Sequence, residues 1–463
     1  MKHVASTGPM NKLRDLANSY IRPLRRQLKR RTSIFRNPAL NWIAGRAARV
    51  RRLTLRRMTV IGITGSGGKT TTTSLIGAML SAEALCHMKA GASTEYAITR
   101  TLLKIDSATR FCVHEVGAYE PGRIARAVKI LRPQIAVVTA IGTDHYREFR
   151  SLEAIAAEKA HLVAALPQSG TAILNADDPH VLAMASKTRA RIVTFGISSD
   201  ADIRAADISS VWPDRLSLTV VHGGRRVRIQ TRFVGEHWVT SILAATACGI
   251  VCGVGLEDCA EAVAKFEPVF ARNSVHSRPG TPVYVLDTRK ASAWTIPYSL
   301  AFIRRAEAPR KTIVFGTLSD RPGGWKSERY RKLAREALEV ADRVVFVGPN
   351  ATYVDKMRLG PFKDRLFSFL TAYQASQYLS RDPVADELIL AKGSISDHLE
   401  RIMLHEFDRV VCWKQPCPRH TNCHECSLYR TPHPPPFGLA HDEVPAQLAR
   451  PPMETSLAGS GPC

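Results

Sequence analysis

The stretch Met58-Thr-Val-Ile-Gly62-Ile-Thr-Gly65-Ser-Gly67-Gly68-Lys69-Thr70-Thr71-Thr72 decides the fold. Its first six residues, MTVIGI, are a short apolar run rich in β-branched side chains and read as a strand. A glycine-rich turn follows, then a helix predicted from about Lys69 to Ala84. A strand that passes through glycines into a helix N-terminus binds phosphate: backbone N–H groups surround the anion and the helix dipole favours its charge. Gly65, Gly67, Gly68, Lys69, Thr70 and Thr71 are therefore the candidate nucleotide-binding residues. Lys69 would reach the β- and γ-phosphates, and the Thr70 hydroxyl would ligate Mg²⁺. The strict GxxxxGK[ST] spacing is missed at Ile63, where its first glycine would stand. The competing reading is a glycine-rich turn followed by a chance Lys-Thr pair.

Outward from this loop, FCVHEV (111–116), QIAVVTAI (134–141), TAILN (171–175) and RIVTF (191–195) read as further strands. Helical patterns lie between them, notably over 151–166. Strands alternating with helices predict an α/β fold with a mainly parallel sheet covered on both faces. The shorter alternating runs SLTVV and VRIQT, within 201–232, predict an antiparallel hairpin. Residues 235–255 read as a helix ending at a glycine-rich stop. A second α/β run starts near Ala271, with VYVLD (283–287), TIVFG (312–316), RVVFVG (343–348) and ELILAKG (387–393) as strands. The expected organisation is a basic leader at 1–57, a P-loop domain at 58–270, a smaller Rossmann-like domain at 271–406, and a Cys-rich segment with a Pro-rich, disordered tail at 407–463.

Size and composition agree: 463 residues with 45% hydrophobic content provide two or three cores. No run of 18 apolar residues and no secretory signal pattern is present. The net charge of +24 is uneven. Residues 1–57 hold 16 Lys or Arg and one acid, Asp15, hence +15, which leaves +9 for the remainder. Such a leader suits an anionic partner: a membrane surface, a nucleic acid or an acidic protein. Leu13, Leu16, Ile21 and Leu24 could form one apolar side of a helix within it, lying on an anionic membrane or packing on the protein itself. A solvated tail and an Arg-rich organellar transit peptide are the other readings.

Ten cysteines, four of them within 412–426, indicate a reducing compartment with one local cluster. Cys412-x4-Cys417-x5-Cys423-x2-Cys426 could close a tetrahedral Zn²⁺ site or hold an iron–sulfur cluster, with His420 and His424 inside the segment. Unliganded thiols and disulfides are the alternatives.

The form G-[ST]-x-G-K-T-T resembles the Mur ligases, amide-forming enzymes driven by ATP. HEVGAYEPGRI (114–124), RPQIAVVTAIGTDHYREFRSLEAIAAEKAHLV (132–163) and GTAILNADDP (170–179) extend the resemblance, most of all to the branch that adds D-alanyl-D-alanine to a UDP-N-acetylmuramoyl tripeptide. The resemblance implies ATP and Mg²⁺, a cytoplasmic enzyme, and a catalytic set of Lys69, Lys159, Glu115 and His145. Glu115 and His145 would ligate a second Mg²⁺, and Lys159 matches the lysine that the family carbamylates as a further ligand. Arg272 and Asp287 match positions on the nucleotide side; Lys392 and Ser394 match positions near the incoming substrate. Small-molecule or peptide carboxylates and amines are the implied partners.

Departures accompany the match. The family's G-x-H-N-x-x-N reads Gly235-Glu-His237-Trp238-Val-Thr-Ser241, so both asparagines are replaced, and its D-x-x-x-N-P reads DTRKASAW. Only 57 residues precede the P-loop strand, where peptidoglycan ligases carry a UDP-sugar domain, so that sugar is not expected to bind in the usual way. A scaffold that has lost adenine binding is the alternative function. A nucleic-acid-binding ATPase ranks below it, because no aromatic-rich platform supports it.

Overall fold

The computed structural model describes residues 38–198, 200–319, 325–358 and 360–433. The leader up to residue 37 and the Pro-rich tail from residue 434 lie outside them, and with them the predicted leader helix and the disordered tail.

Nine strands form the first sheet: β1 Thr59–Thr64, β2 Cys86–Lys89, β3 Phe111–Glu115, β4 Ile135–Val138, β5 Thr171–Asn175, β6 Arg191–Gly196, β7 Ile203–Ser209, β8 Ser217–His222 and β9 Arg225–Gln230. Their order is β2-β3-β1-β4-β5-β6-β7-β8-β9. Pairings from β2 through β7 are parallel, and β8 joins β7 and β9 antiparallel. The central strands β1, β4 and β5 are mostly apolar and buried because helices cover both faces. The helices Lys69–Glu83, Val239–Val251 and Leu256–Lys265 pack on one side, against Ile61, Ile63, Val137 and Ile173. Helices Glu95–Lys104, Arg123–Leu131 and Leu152–Ala164 cover the other, against Val60, Cys112 and Val138. β1 lies between β3 and β4, where the strand order reverses; ligands of open α/β sheets bind at such a point, beyond the strands' C-terminal ends.

The second sheet contains β10 Ser274–His276, β11 Val283–Asp287, β12 Lys311–Phe315, β13 Arg343–Val347, β14 Leu366–Phe369 and β15 Leu388–Lys392, in the order β10-β11-β15-β12-β13-β14. Only β10 is antiparallel to its neighbour. Glu387, fully buried just before the interior strand β15, accepts from Arg343 at 2.7 Å and from Arg310 at 2.6 Å. It also accepts from the Thr312 hydroxyl.

The predicted strands and the 201–232 hairpin are present within a residue or two, with two instructive exceptions. The run 134–141 is strand only to Val138, because Thr139 to Gly142 turn into the site. The helix expected from 235 starts at Val239, after a 3₁₀ turn over Glu236–Trp238. The end of the leader is a helix, Pro38–Thr54, fixed to the first sheet's flank. Buried Arg52 donates to the carbonyls of Leu131 at 3.0 Å and Arg132 at 3.1 Å and to Gln134 Oε1 at 2.9 Å. Among the described residues, no helix is long and apolar enough to cross a membrane.

Candidate active site

The glycine-rich loop has the geometry its sequence requires. Gly68, the residue before the helix Lys69–Glu83, has φ of 76°, and a Cβ there would stand 2.7 Å from Ser241 Oγ. Gly65 has φ of 148°, and a Cβ would fall 1.9 Å from Thr139 Oγ1. Only glycine fits either place. Neighbouring loops pin the turn: Thr139 Oγ1 donates to the Gly67 carbonyl at 2.6 Å, Ser66 N to the Ala140 carbonyl at 2.7 Å and Ser66 Oγ to the Gly142 carbonyl at 3.0 Å. Asn175 in turn donates to the Thr139 carbonyl at 2.8 Å, and Asp178 accepts from Ile141 N at 2.7 Å. The NADDP segment thus braces the loop.

Glu115, at the C-terminal end of β3, is 5% exposed. Its Oε2 accepts from the Thr70 hydroxyl at 3.0 Å and from Gly91 N at 2.7 Å. Two candidate Mg²⁺ ligands from distant parts of the sequence therefore touch. Lys69 Nζ donates to the Gly65 carbonyl at 2.6 Å and lies 3.7 Å from Asp144 Oδ2. Asp144 is 5% exposed and also meets His145 Nε2 at 3.7 Å. His145 is held at φ of 54°, a left-handed conformation that positions its ring at the turn.

Lys159 is 3% exposed on the helix Leu152–Ala164. Burial pushes its ammonium down to about 7; Lys69 and Lys290 push the same way, and Asp144 opposes them. Asp144 behaves conversely. Burial favours its neutral form, but Lys69, Lys290, Lys159 and His145 together outweigh that and hold its carboxyl well below the usual carboxylate range. Glu158, next to Lys159, serves the fold: it accepts from Gly122 N and Ile124 N, each at 2.7 Å, and so ties down the helix Arg123–Leu131.

The second sheet contributes directly. Lys290, just after β11, forms an ion pair with Asp144. Trp294 covers the phosphate loop: a Cβ on Gly67 would lie 2.8 Å from its ring, and a Cβ on Gly142 2.6 Å. Its indole Nε1 is buried without a hydrogen-bond partner. Arg289 approaches the Glu115 side, since a Cβ on Gly91 would stand 3.9 Å from its guanidinium. Burial and nearby Arg272 both lower the Arg289 pKa. Arg272 has a buried Nε without a partner. Asp287 and Lys392 pair with each other across β11 and β15, and Lys392 is 1% exposed. Ser394 Oγ and Ser394 N both engage Asp397, closing a short 3₁₀ turn. His237 is ringed by Trp238 and Tyr298 at centroid distances of 4.9 and 5.7 Å, and Asn273 lies 3.1 Å from its Nε2.

Lys69, Thr70, Glu115, His145 and Lys159 thus gather around one centre. Asp144, Lys290 and Trp294 belong to it and were missed in the sequence. Asp144 was next to a quoted histidine, and the other two lay inside DTRKASAW, read there only as a departure. The four-cysteine metal site requires correction. Cys412 and Cys423 are buried and Cys417 and Cys426 half-buried, all as free thiols, and the four sulfurs do not converge. Spacing along a loop-rich segment does not fix which way each thiol points.

Comparison with known proteins agrees with this geometry. Residues 63–249 match the Mur ligase middle domain. The UDP-N-acetylmuramoyl-tripeptide–D-alanyl-D-alanine ligase of Mycobacterium tuberculosis is 36% identical over 231 residues, 50% of this chain and 45% of that protein. The chain therefore spans about half the length of such curated relatives. The Bacillus subtilis ligase of the same name is 26% identical over 74% of this chain and 75% of its own length. A crystal structure of MurF from Acinetobacter baumannii superposes with a TM-score of 0.70 at 24% identity, covering 79% of this chain and 80% of the other. MurF from Thermotoga maritima in complex with ADP gives 0.69 at 21% identity, covering 79% and 83%. Residues 63–249 of this chain are thus similar to the Mur ligase middle domain, and its α/β architecture is the fold of the solved MurF structures.

Proposed function

We propose that the chain joins a carboxylate to an amine at the expense of ATP. The observation that carries this reading is the meeting of three elements at one point: the phosphate loop, the buried Glu115–Thr70 pair, and the Asp144-centred lysine cluster that the second sheet completes with Lys290.

A substrate carboxylate oxygen attacks the γ-phosphorus of ATP and ADP departs, leaving an acyl phosphate. The amine nitrogen then attacks the acyl carbon, phosphate leaves, and the amine proton passes to solvent. Lys69 and Lys290 face the place where negative charge accumulates on the transferring phosphoryl group, and such preorganised charge stabilises the transition state. Trp294 packed on Gly67 and Gly142 keeps water from the acyl phosphate. Mg²⁺ fits the donor set: buried Glu115 and the Thr70 hydroxyl supply hard oxygens next to the phosphate cradle. Bound there and at His145 and a carbamylated Lys159, as the family resemblance implies, it would neutralise phosphate charge. The same resemblance supports a nucleotide-side role for Arg272 and Asp287.

The substrates are proposed by class, as a small-molecule or peptide carboxylate and an amine; the ligases named above point to nucleotide-linked peptides and D-alanyl-D-alanine as the first pair to offer. Contact with an anionic membrane at the cytoplasmic face is supported by the helix Pro38–Thr54, which exposes Trp42, Ile43, Val50 and Leu53 beside Arg46 and Arg49. Sedimentation with anionic but not neutral vesicles, weakened in Trp42→Ala, tests it.

Phosphate release with ATP, Mg²⁺ and a panel of carboxylates and amines tests the enzyme. Substrate-dependent release that falls about 10²-fold or more in Lys69→Ala is expected. ATP binding without turnover on any pair would move the chain to the scaffold reading.

A further inference from the structure

Away from the catalytic centre, His398, Glu400 and Cys423 bring one nitrogen, one carboxylate oxygen and one sulfur to within 4.8 Å of one another, all buried. His398 Nδ1 lies 3.3 Å from Glu400 Oε1 and 3.4 Å from Cys423 Sγ. A tetrahedral zinc centre has bonds of about 2.0–2.1 Å to nitrogen and oxygen and about 2.3 Å to sulfur, so its N and O ligands stand about 3.3 Å apart and its N and S ligands about 3.5 Å apart. Both spacings from His398 are those of such a centre. We propose that these three residues bind a divalent ion of the zinc class.

The surroundings suit such an ion. His398 has φ of 50°, an uncommon conformation for a non-glycine residue, and it turns the ring towards Cys423 directly after the turn Ile395–Asp397. Arg401 Nε donates to Cys423 Sγ at 3.1 Å, the kind of outer contact that stabilises a thiolate and orients it. Cys423 N donates to Glu400 Oε1 at 3.0 Å, fixing the carboxylate. A mixed N/O/S set selects zinc-like ions over Mg²⁺, which demands oxygen ligands. Uptake displaces the Cys423 thiol proton to solvent, so that the carboxylate and thiolate balance the dication while Arg401 remains the outer charge.

The ion would also hold the chain together. From Asp408 to His433 the chain has one short 3₁₀ helix, Cys423–Glu425, and an isolated bridge between Cys412 and His433. An ion held by His398 and Glu400 on one side and Cys423 on the other would staple that segment to the loop after β15. That loop carries Ser394 and, through Asp397, the Thr317 backbone and hydroxyl.

Chelator-treated full-length protein, equilibrated with Co²⁺ in excess Mg²⁺, gives the test. One equivalent of Co²⁺ with tetrahedral d–d bands and a thiolate charge-transfer band of single-sulfur intensity is expected. The charge-transfer band should disappear in Cys423→Ser and persist in Cys417→Ser/Cys426→Ser. The wild-type band intensity alone separates one sulfur from four, so the result stands even if Cys423→Ser fails to fold. No stoichiometric uptake, or a four-sulfur band lost in Cys417→Ser/Cys426→Ser, overturns the proposal.

Discussion

Lys290 of the second sheet reaches Asp144 of the first, and that ion pair joins the two halves of the candidate site. Asp144 also lies 3.7 Å from Lys69 of the phosphate loop. One buried carboxylate thus orients two cations that come from different sheets. Lys290→Ala should lower kcat/KM for ATP-dependent ligation by about 10²–10³-fold, the usual cost of losing one preorganised charge at a transition state. Lys290→Arg should recover part of it. Asp144→Asn combined with Lys290→Ala should cost less than the sum of the single changes, because both act on one contact. Strictly additive losses in steady-state kinetics would show that the pair has no joint role.

Trp294 supplies the apolar part of the same closure. Gly142→Ala would put a methyl 2.6 Å from its ring carbons, and the indole has to move. The expected outcome is a fall in kcat larger than the change in ATP affinity, since Gly142 braces the phosphate loop through its carbonyl, which accepts from Ser66 Oγ, and not through its Cα. Uncoupled ATP hydrolysis should rise as water gains access to the acyl phosphate. Phosphate release measured against product formation reads this directly; a tightly coupled variant would mean that Trp294 does not exclude water.

Stability of the second sheet should depend on Glu387. It is fully buried and answers Arg343, Arg310 and Thr312 at once. Glu387→Ala leaves Arg343, 6% exposed, without its carboxylate, and breaking a buried pair in this way costs about 3–5 kcal/mol. Denaturant unfolding should show the loss in the transition of the second sheet, with that of the first unchanged. An unaltered midpoint would mean that water reaches Arg343 after the change.

The fold was legible because its strands announce themselves. VYVLD, RVVFV and TAILN are continuous apolar runs, the pattern of strands buried on both faces, and glycines punctuate the P-loop turn. The short β2 and β14 escaped, since CHMK and LFSF carry too few residues to show a period. In the site, Lys69, Thr70, Glu115, His145 and Lys159 came from motifs and their family resemblance. Lys290 and Trp294 could not be found that way: their role depends on how two sheets meet, and no local spacing encodes it. The cysteine segment failed for a related reason. Cys423 turns towards His398, 25 residues away in sequence, rather than towards the cysteines beside it.

Acid sensitivity follows from His114, which is fully buried in β3. Its Nδ1 lies 2.8 Å from the Glu115 carbonyl, which can only accept, so the proton sits on Nδ1 and Nε2 is bare. Nε2 has no partner. Burial is the main reason its pKa falls to about 4, with the Glu115 contact and, more weakly, the Ala97 backbone opposing. In the unfolded chain the value returns to about 6.5. Above that value both states are neutral and nothing is lost. As pH falls from about 6.5 to about 4, the unfolded state takes up a proton that the folded state refuses. Stability then declines by up to about 1.4 kcal/mol per pH unit from this residue, and the decline stops below about 4. His114→Asn keeps a donor for the carbonyl but does not titrate. Its unfolding midpoint should therefore fall less steeply than wild type between pH 6.5 and 4.5. Equal slopes in both proteins would show that His114 takes up its proton in the folded state after all.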